Sequence, residues 1–137
     1  MNLKSFVPVL FVRDVSESAE YFGTALGFAV DFLHGTPPFH GGVARDQVCL
    51  HLRFVRRPNF AELAASEHSL ILGGIVVPDV WPLFDEFSSR GALVVQAPAK
   101  QPWGGTDFHV RDLDGNVISF VSYEQASCVR RGPLRDW

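Results

Sequence analysis

The chain has 137 residues, 47% of them hydrophobic, 12% aromatic and 20% charged. That is apolar enough for one compact domain with a core and too apolar for a disordered chain. Twelve lysines and arginines against fifteen aspartates and glutamates give a net charge of −3, which excludes the dense basic surface that nucleic-acid phosphates need. No apolar run reaches the ~20 residues of a membrane helix. The segment Met1 to Phe6 carries Lys4 but neither the apolar stretch nor the cleavage site of a signal peptide. A soluble, cytoplasmic protein without a membrane partner is therefore expected. Cys49 and Cys128 lie far apart and match no metal or disulfide spacing, so both read as reduced structural thiols.

In chain order, the apolar run Phe6 to Val12 predicts a strand. Asp14 followed by Glu17 then has capping-box spacing. Val15, Ala19, Phe22 and Leu26 recur at helical spacing before Gly27, a natural stop. Phe28 to Leu33 reads as a strand, Gly35-Thr36-Pro37-Pro38 as a loop, and Gly41 to Arg45 and Gln47 to Val55 as two further strands. Residues 59–69 form a linker with a helical turn or two around Phe60, Leu63 and Ala64. The second half repeats the plan. Leu70 to Val77 is strand-like, Asp79 caps a helix faced by Val80, Phe84 and Phe87, and Gly91 ends it. Ala92 to Ala97 reads as a strand, then a Pro-Ala-Lys-Gln-Pro loop, then Gly104 to Val110. Asp114-Gly115 turns the chain into Asn116 to Tyr123 as a hairpin. Asp112 and Asp114 fit as turn formers. Arg130, Arg131 and Arg135, near Gly132 and Pro133, read as a solvated tail.

Each half is thus β-α-β-β-β, and the pair predicts an α+β fold: two modules, residues 5–57 and 69–125, form a curved mixed sheet around a cup, with helices on the outer side and a tail over 126–137. The uncovered concave face is the default ligand site. Strand alternation puts His51 with Cys49 and Arg53 opposite Leu50 and Leu52. The same alternation puts His109 with Asp107 and Arg111 on a face expected to be solvated. Asp31 and Phe32 face opposite sides unless a bulge intervenes. Trp103, between Pro102 and Gly104, either covers a hairpin edge or stacks on a ligand.

Three segments carry a family resemblance: Pro8-Val9-Leu10-x-x-Arg13-Asp14-Val15, Gly27-Phe28-x-x-Asp31-Phe32, and the stretch from Gln101-Pro102-Trp103-Gly104 to Asp112-x-Asp114-Gly115-Asn116. The sequence resembles the glyoxalase/bleomycin resistance protein/extradiol dioxygenase superfamily (the vicinal oxygen chelate fold) over roughly Phe6 to Gln125, and within it the bleomycin resistance branch. The resemblance implies a homodimer enclosing two ligand grooves, often with the N-terminal strand exchanged near the proline matching Pro8. Its metal-ligand positions fall on Val7, His51, Gly74 and Ser119, of which only His51 is a ready ligand, so neither a metal nor another cofactor is expected. The resemblance also implies ligand-binding roles for Asp31, Phe32, Phe39 and Trp103, with His51 lining the same cup. In the drug-binding relatives the strand matching Leu70 to Val77 carries tryptophan. Here it is aliphatic, with Gly73-Gly74, so a different ligand is open. The expected function is metal-independent capture of a bleomycin-type antibiotic or another flat aromatic molecule, giving antibiotic resistance by binding and without catalysis. The alternative is a metal-dependent glyoxalase-like lyase or dioxygenase built on His51 with His109 or Glu124.

Overall fold

The computed structural model describes residues Met1–Glu124. Cys128, the arginines of the expected tail and the last residue of the second module lie outside the described residues. The elements are β1 (Val9–Val12), α1 (Val15–Leu26), β2 (Ala29–Gly35), β3 (Pro38–Arg45), β4 (Val48–Phe54), α2 (Phe60–Ser66), β5 (Gly73–Val76), α3 (Val80–Ser89), β6 (Leu93–Lys100), β7 (Gly105–Arg111) and β8 (Val117–Tyr123). They form two four-stranded sheets, ordered β1-β4-β3-β2 and β5-β8-β7-β6. In each sheet the first strand pairs in parallel with the last strand of its module, and the remaining pairs are antiparallel. The expected α+β fold of two repeated modules is what the chain adopts.

Both main helices begin and end where the sequence places their signals. Asp14 accepts from the Glu17 amide at 3.0 Å, and Asp79 accepts from the Trp81 amide at 3.1 Å. Each aspartate thereby satisfies an amide that the first helical turn leaves free. Gly27 closes α1 at φ 71°, a left-handed conformation that a side chain would oppose. The apolar stripe of α1, including Val15, Ala19, Phe22 and Leu26, meets Leu10, Val12, Val43, Leu50 and Leu52 from its sheet. Val80 and Phe87 of α3 meet Phe108, Val110, Ile118 and Phe120 from the other, and all of these belong to one buried cluster. Phe108 stacks on Phe120 with centroids 5.4 Å apart, and Phe87 packs edge-on against both.

Polar contacts lock the modules together. The Tyr21 hydroxyl donates to the Arg111 carbonyl at 2.7 Å and accepts from the Leu93 amide at 3.0 Å. Asp112, 2% exposed, gathers the β7–β8 turn by accepting from the Asp114 amide and from the Asn116 amide and Nδ2 at 2.8–2.9 Å. Asn116 Nδ2 also donates to the Phe11 carbonyl, and Asp114 accepts from the amide and Nε of Arg13. The two aspartates are turn formers, as expected, and the turn they build also clamps β1 of the other module.

Arg45 and Glu86 form a two-pronged ion pair across the modules, at 2.8 and 2.9 Å. The Arg45 hydrogen bond holds the Glu86 carboxyl below its ordinary pKa of 4.5, against the upward pull of burial. The native state thus releases this proton more readily than the unfolded chain. Its stabilising contribution is present above about pH 4.5 and is lost as pH falls through the depressed value. Glu86→Gln should cost about 1–2 kcal/mol near neutral pH. Urea unfolding of the variant and the parent should converge as pH drops toward 3.

Several boundaries differ from the sequence reading, with β1 starting only at Val9 and β5 only at Gly73, inside the runs expected from Phe6 and Leu70. β3 begins at Pro38, so the expected loop shrinks to a turn and His40 joins a strand. β6 runs through Pro98 to Lys100 where a loop is expected. Pro98 is tolerated because the β6–β7 register slips between Gln96 and Ala99, where the missing N–H leaves no ladder bond unmade.

Candidate ligand-binding site

The helices cover one face of each sheet. Because Leu10, Val12, Val43, Leu50 and Leu52 point into the core, their strand neighbours point the other way. On the first sheet that places Val9, Phe11, His40, Gly42, Cys49, His51 and Arg53 on the face away from α1. Gly42 pairs with His51, and His40 with Arg53. A Cβ on Gly42 would come within 2.5 Å of Phe32 Cε1, so the missing side chain is what lets the Phe32 ring lie against the strand. His40 and His51 meet that ring edge-on at centroid distances of 5.3 and 5.2 Å, and each other at 5.1 Å. The result is a half-buried aromatic platform of three rings.

The question left open for Asp31 and Phe32 is resolved by a bulge. The β2–β3 register shifts between Val30 and Phe32, so Asp31 has no cross-strand partner and stands exposed beside the platform's strand. Phe39 is 43% exposed. It packs edge-on to His34 at 5.3 Å, with the Arg53 guanidinium 5.9 Å from its ring centroid. Of the predicted residues, then, Phe32 and His51 touch, and Asp31 and Phe39 share their sheet. Trp103 belongs to the other module, in the β6–β7 turn, where it is 70% exposed and packs against no aromatic ring among the described residues.

On the second sheet the polar face is buried, which corrects the expectation of a solvated one. Asp107, His109 and Ser119 are 6%, 5% and 2% exposed. Ala64 of α2 and His68, Ser69 and Leu70 of the linker share with Gln96, His109 and Val117 the walls of a cavity of 420 Å³. Asp107 Oδ1 accepts from Gln96 Nε2 at 3.0 Å and Gln101 Nε2 at 2.9 Å, and its Oδ2 faces His109 Nε2 at 3.3 Å and Ser119 Oγ at 3.4 Å. Burial pushes the Asp107 carboxyl up, but the donors from Gln101, Gln96 and His109 outweigh it and hold the group below its ordinary range. Glu124 is instead an exposed partner of Lys100 at 2.7 Å. A larger cavity, 460 Å³, opens between the modules beside Arg45 and Glu86, and it holds none of the predicted site residues.

The sequence reading missed His40, Gly42 and Gln96. His40 and Gly42 acquire meaning only through the register of β3 against β4, and Gln96 only through the bulge that aligns it with His109.

A model of the Glyoxalase/Bleomycin resistance protein/Dioxygenase superfamily matches residues 4–120. The chain belongs to that superfamily. Among solved structures of the same fold is the bleomycin-binding protein from bleomycin-producing Streptomyces verticillus complexed with copper(II)-bleomycin. It is 24% identical, covers 90% of this chain and 99% of its own, and superposes with a TM-score of 0.72. The bleomycin resistance determinant encoded on the transposon Tn5 is 21% identical, with 90% and 100% covered and a TM-score of 0.68. TioX from Micromonospora sp. ML1 is 22% identical, with 88% and 98% covered and a TM-score of 0.69. No curated protein matches the sequence.

The positions that the superfamily resemblance assigns to metal do not fit one here. Gly74 and Ser119 are register partners on β5 and β8, and Val7 precedes the strand that pairs with His51. Valine and glycine supply no donor, and one imidazole with one hydroxyl falls short of the three or four ligands a divalent ion needs. Among the described residues no three His, Cys, Asp or Glu side chains are grouped to hold a metal.

Proposed function

We propose that this superfamily member is a metal-independent, cytoplasmic binding protein. In this reading it dimerises and sequesters a bleomycin-type antibiotic or a similar flat aromatic ligand in grooves between subunits, conferring resistance by capture. The observation that carries the proposal is the platform of Phe32, His40 and His51 pressed over Gly42. A planar ligand laid on it gains ring stacking worth about 0.5–1.5 kcal/mol beyond area burial. Phe39, with Arg53 over its ring, extends the surface, Asp31 supplies a carboxylate at its edge for a cationic group, and Trp103 supplies a free indole from the second module. Fold likeness to a bleomycin-binding protein and to a bleomycin resistance determinant supports the ligand class.

Dimerisation has its own support. Val9, Phe11, Val76 and Val95 leave 39–54% of their surface exposed on the sheets, and Leu3 and Phe6, ahead of Pro8, are almost fully exposed. Exposed apolar side chains of this kind are typical of an interaction surface. A second subunit receiving the N-terminal segment would cover them. Bleomycin titration of the chelator-treated protein tests capture, and light scattering in the same buffer, which should return twice the chain mass, tests the dimer.

A further inference from the structure

His109 is more than nine-tenths buried, yet only one of its ring nitrogens is used. Nε2 faces the Asp107 carboxylate, which has no proton to give and so fixes the N–H on Nε2 and the lone pair on Nδ1. Nδ1 makes no hydrogen bond among the described residues, where the one enclosed side-chain polar atom lacking a partner is Ser18 Oγ. Nδ1 therefore opens onto the 420 Å³ cavity that His109 lines, a volume within the about 300–1,000 Å³ of small-molecule sites. Ala64, Leu70, Val95 and Val117 supply apolar walls, and Gln96, His68 and Ser69 supply the polar groups beside His109.

An acceptor nitrogen facing a cavity with apolar walls pairs best with an acidic O–H carried on a flat ring. We propose that the Asp107–His109 pair recognises a weakly acidic hydroxyl, phenolic or enolic, on a planar ring that enters this cavity, with the O–H donating to His109 Nδ1. The cavity shares no lining residue with the Phe32–His40–His51 platform, so this is a second ligand site beside the one proposed above. His109 acts as the contact, and Asp107, held by Gln96 and Gln101, acts as the positioning residue that sets the tautomer.

The test uses 2-naphthol and 2-methoxynaphthalene, which share a ring system and differ in the donor, each titrated calorimetrically into the full chain. Tenfold or greater preference for 2-naphthol is expected. His109→Phe should abolish it. In Asp107→Asn the two glutamine donors keep the amide oxygen at the Oδ1 position and turn its NH2 toward Nε2. The imidazole proton then moves to Nδ1, and the preference should disappear although His109 remains. Thermal unfolding confirms that each variant is folded. Equal affinity of the two probes for the parent protein, or a preference that survives in His109→Phe, would overturn the inference. Bleomycin binding without a naphthol preference overturns this inference alone. A naphthol preference without bleomycin binding overturns bleomycin capture alone.

Discussion

Asp112→Ala should destabilise the protein by about 3–5 kcal/mol, a large share of the roughly 5–15 kcal/mol that holds a domain folded. The carboxylate is fully enclosed and accepts three hydrogen bonds at 2.8–2.9 Å. Removing it strands the Asp114 and Asn116 amides in a place water does not reach, and an unmatched buried donor costs about 1–3 kcal/mol. The damage extends beyond the turn. Asn116 reaches the Phe11 carbonyl and Asp114 binds Arg13, so loosening the β7–β8 turn also frees β1 of the first module. Asp112→Asn should not rescue it, because an amide NH2 would then face Asn116 Nδ2, donor against donor. Urea denaturation should show both losses, with Asn the milder. A loss below about 1 kcal/mol for Asp112→Ala, the size of an ordinary surface change, would contradict this account of the turn.

Gly42→Val should leave the fold nearly intact while weakening ligand binding about tenfold or more. Its Cβ would collide with Phe32 Cε1 at 2.5 Å, but the obstacle is the end of a side chain that can swing aside. Valine also suits a strand better than glycine. The thermal midpoint should therefore shift little. The displaced ring, however, loses its seat between His40 and His51, and with it the stacking and the apolar contact that a flat ligand would gain, where 1.4 kcal/mol is a factor of ten. Phe32→Ala should match the binding loss. If Gly42→Val bound bleomycin as tightly as the parent, the platform would not be the site.

Local chemistry made much of this fold legible in advance. Asp14 and Asp79 cap, Gly27 stops a helix, and Phe108 alternates with His109 wherever the strand goes. What was not legible depends on contacts between distant segments. The polar face of β7 looks solvated in one strand's alternation, and only Gln96, Gln101 and Ser119 gathering on Asp107 from other segments make Asp107 and His109 a buried pair. Likewise Asp31 and Phe32 read as opposite-facing neighbours until the bulge against β3 releases Asp31 from the ladder. Phe32 and His51 stand out singly, but their contact depends on Gly42 lying between them, a register that no single segment encodes. Trp103 is visible as an unusual aromatic in a turn, and its exposure leaves its partner to be supplied by a ligand or a second subunit.

The most direct test of capture is a titration of chelator-treated protein with bleomycin, followed by tryptophan fluorescence. Trp103→Ala serves as the control because the chain has three tryptophans. Saturable quenching at one ligand per subunit is expected, with a dissociation constant at or below about 1 μM, equivalent to about −8 kcal/mol, and with loss of the signal in the variant. No saturable quenching, or quenching that appears only when a divalent metal is restored, would contradict metal-independent capture.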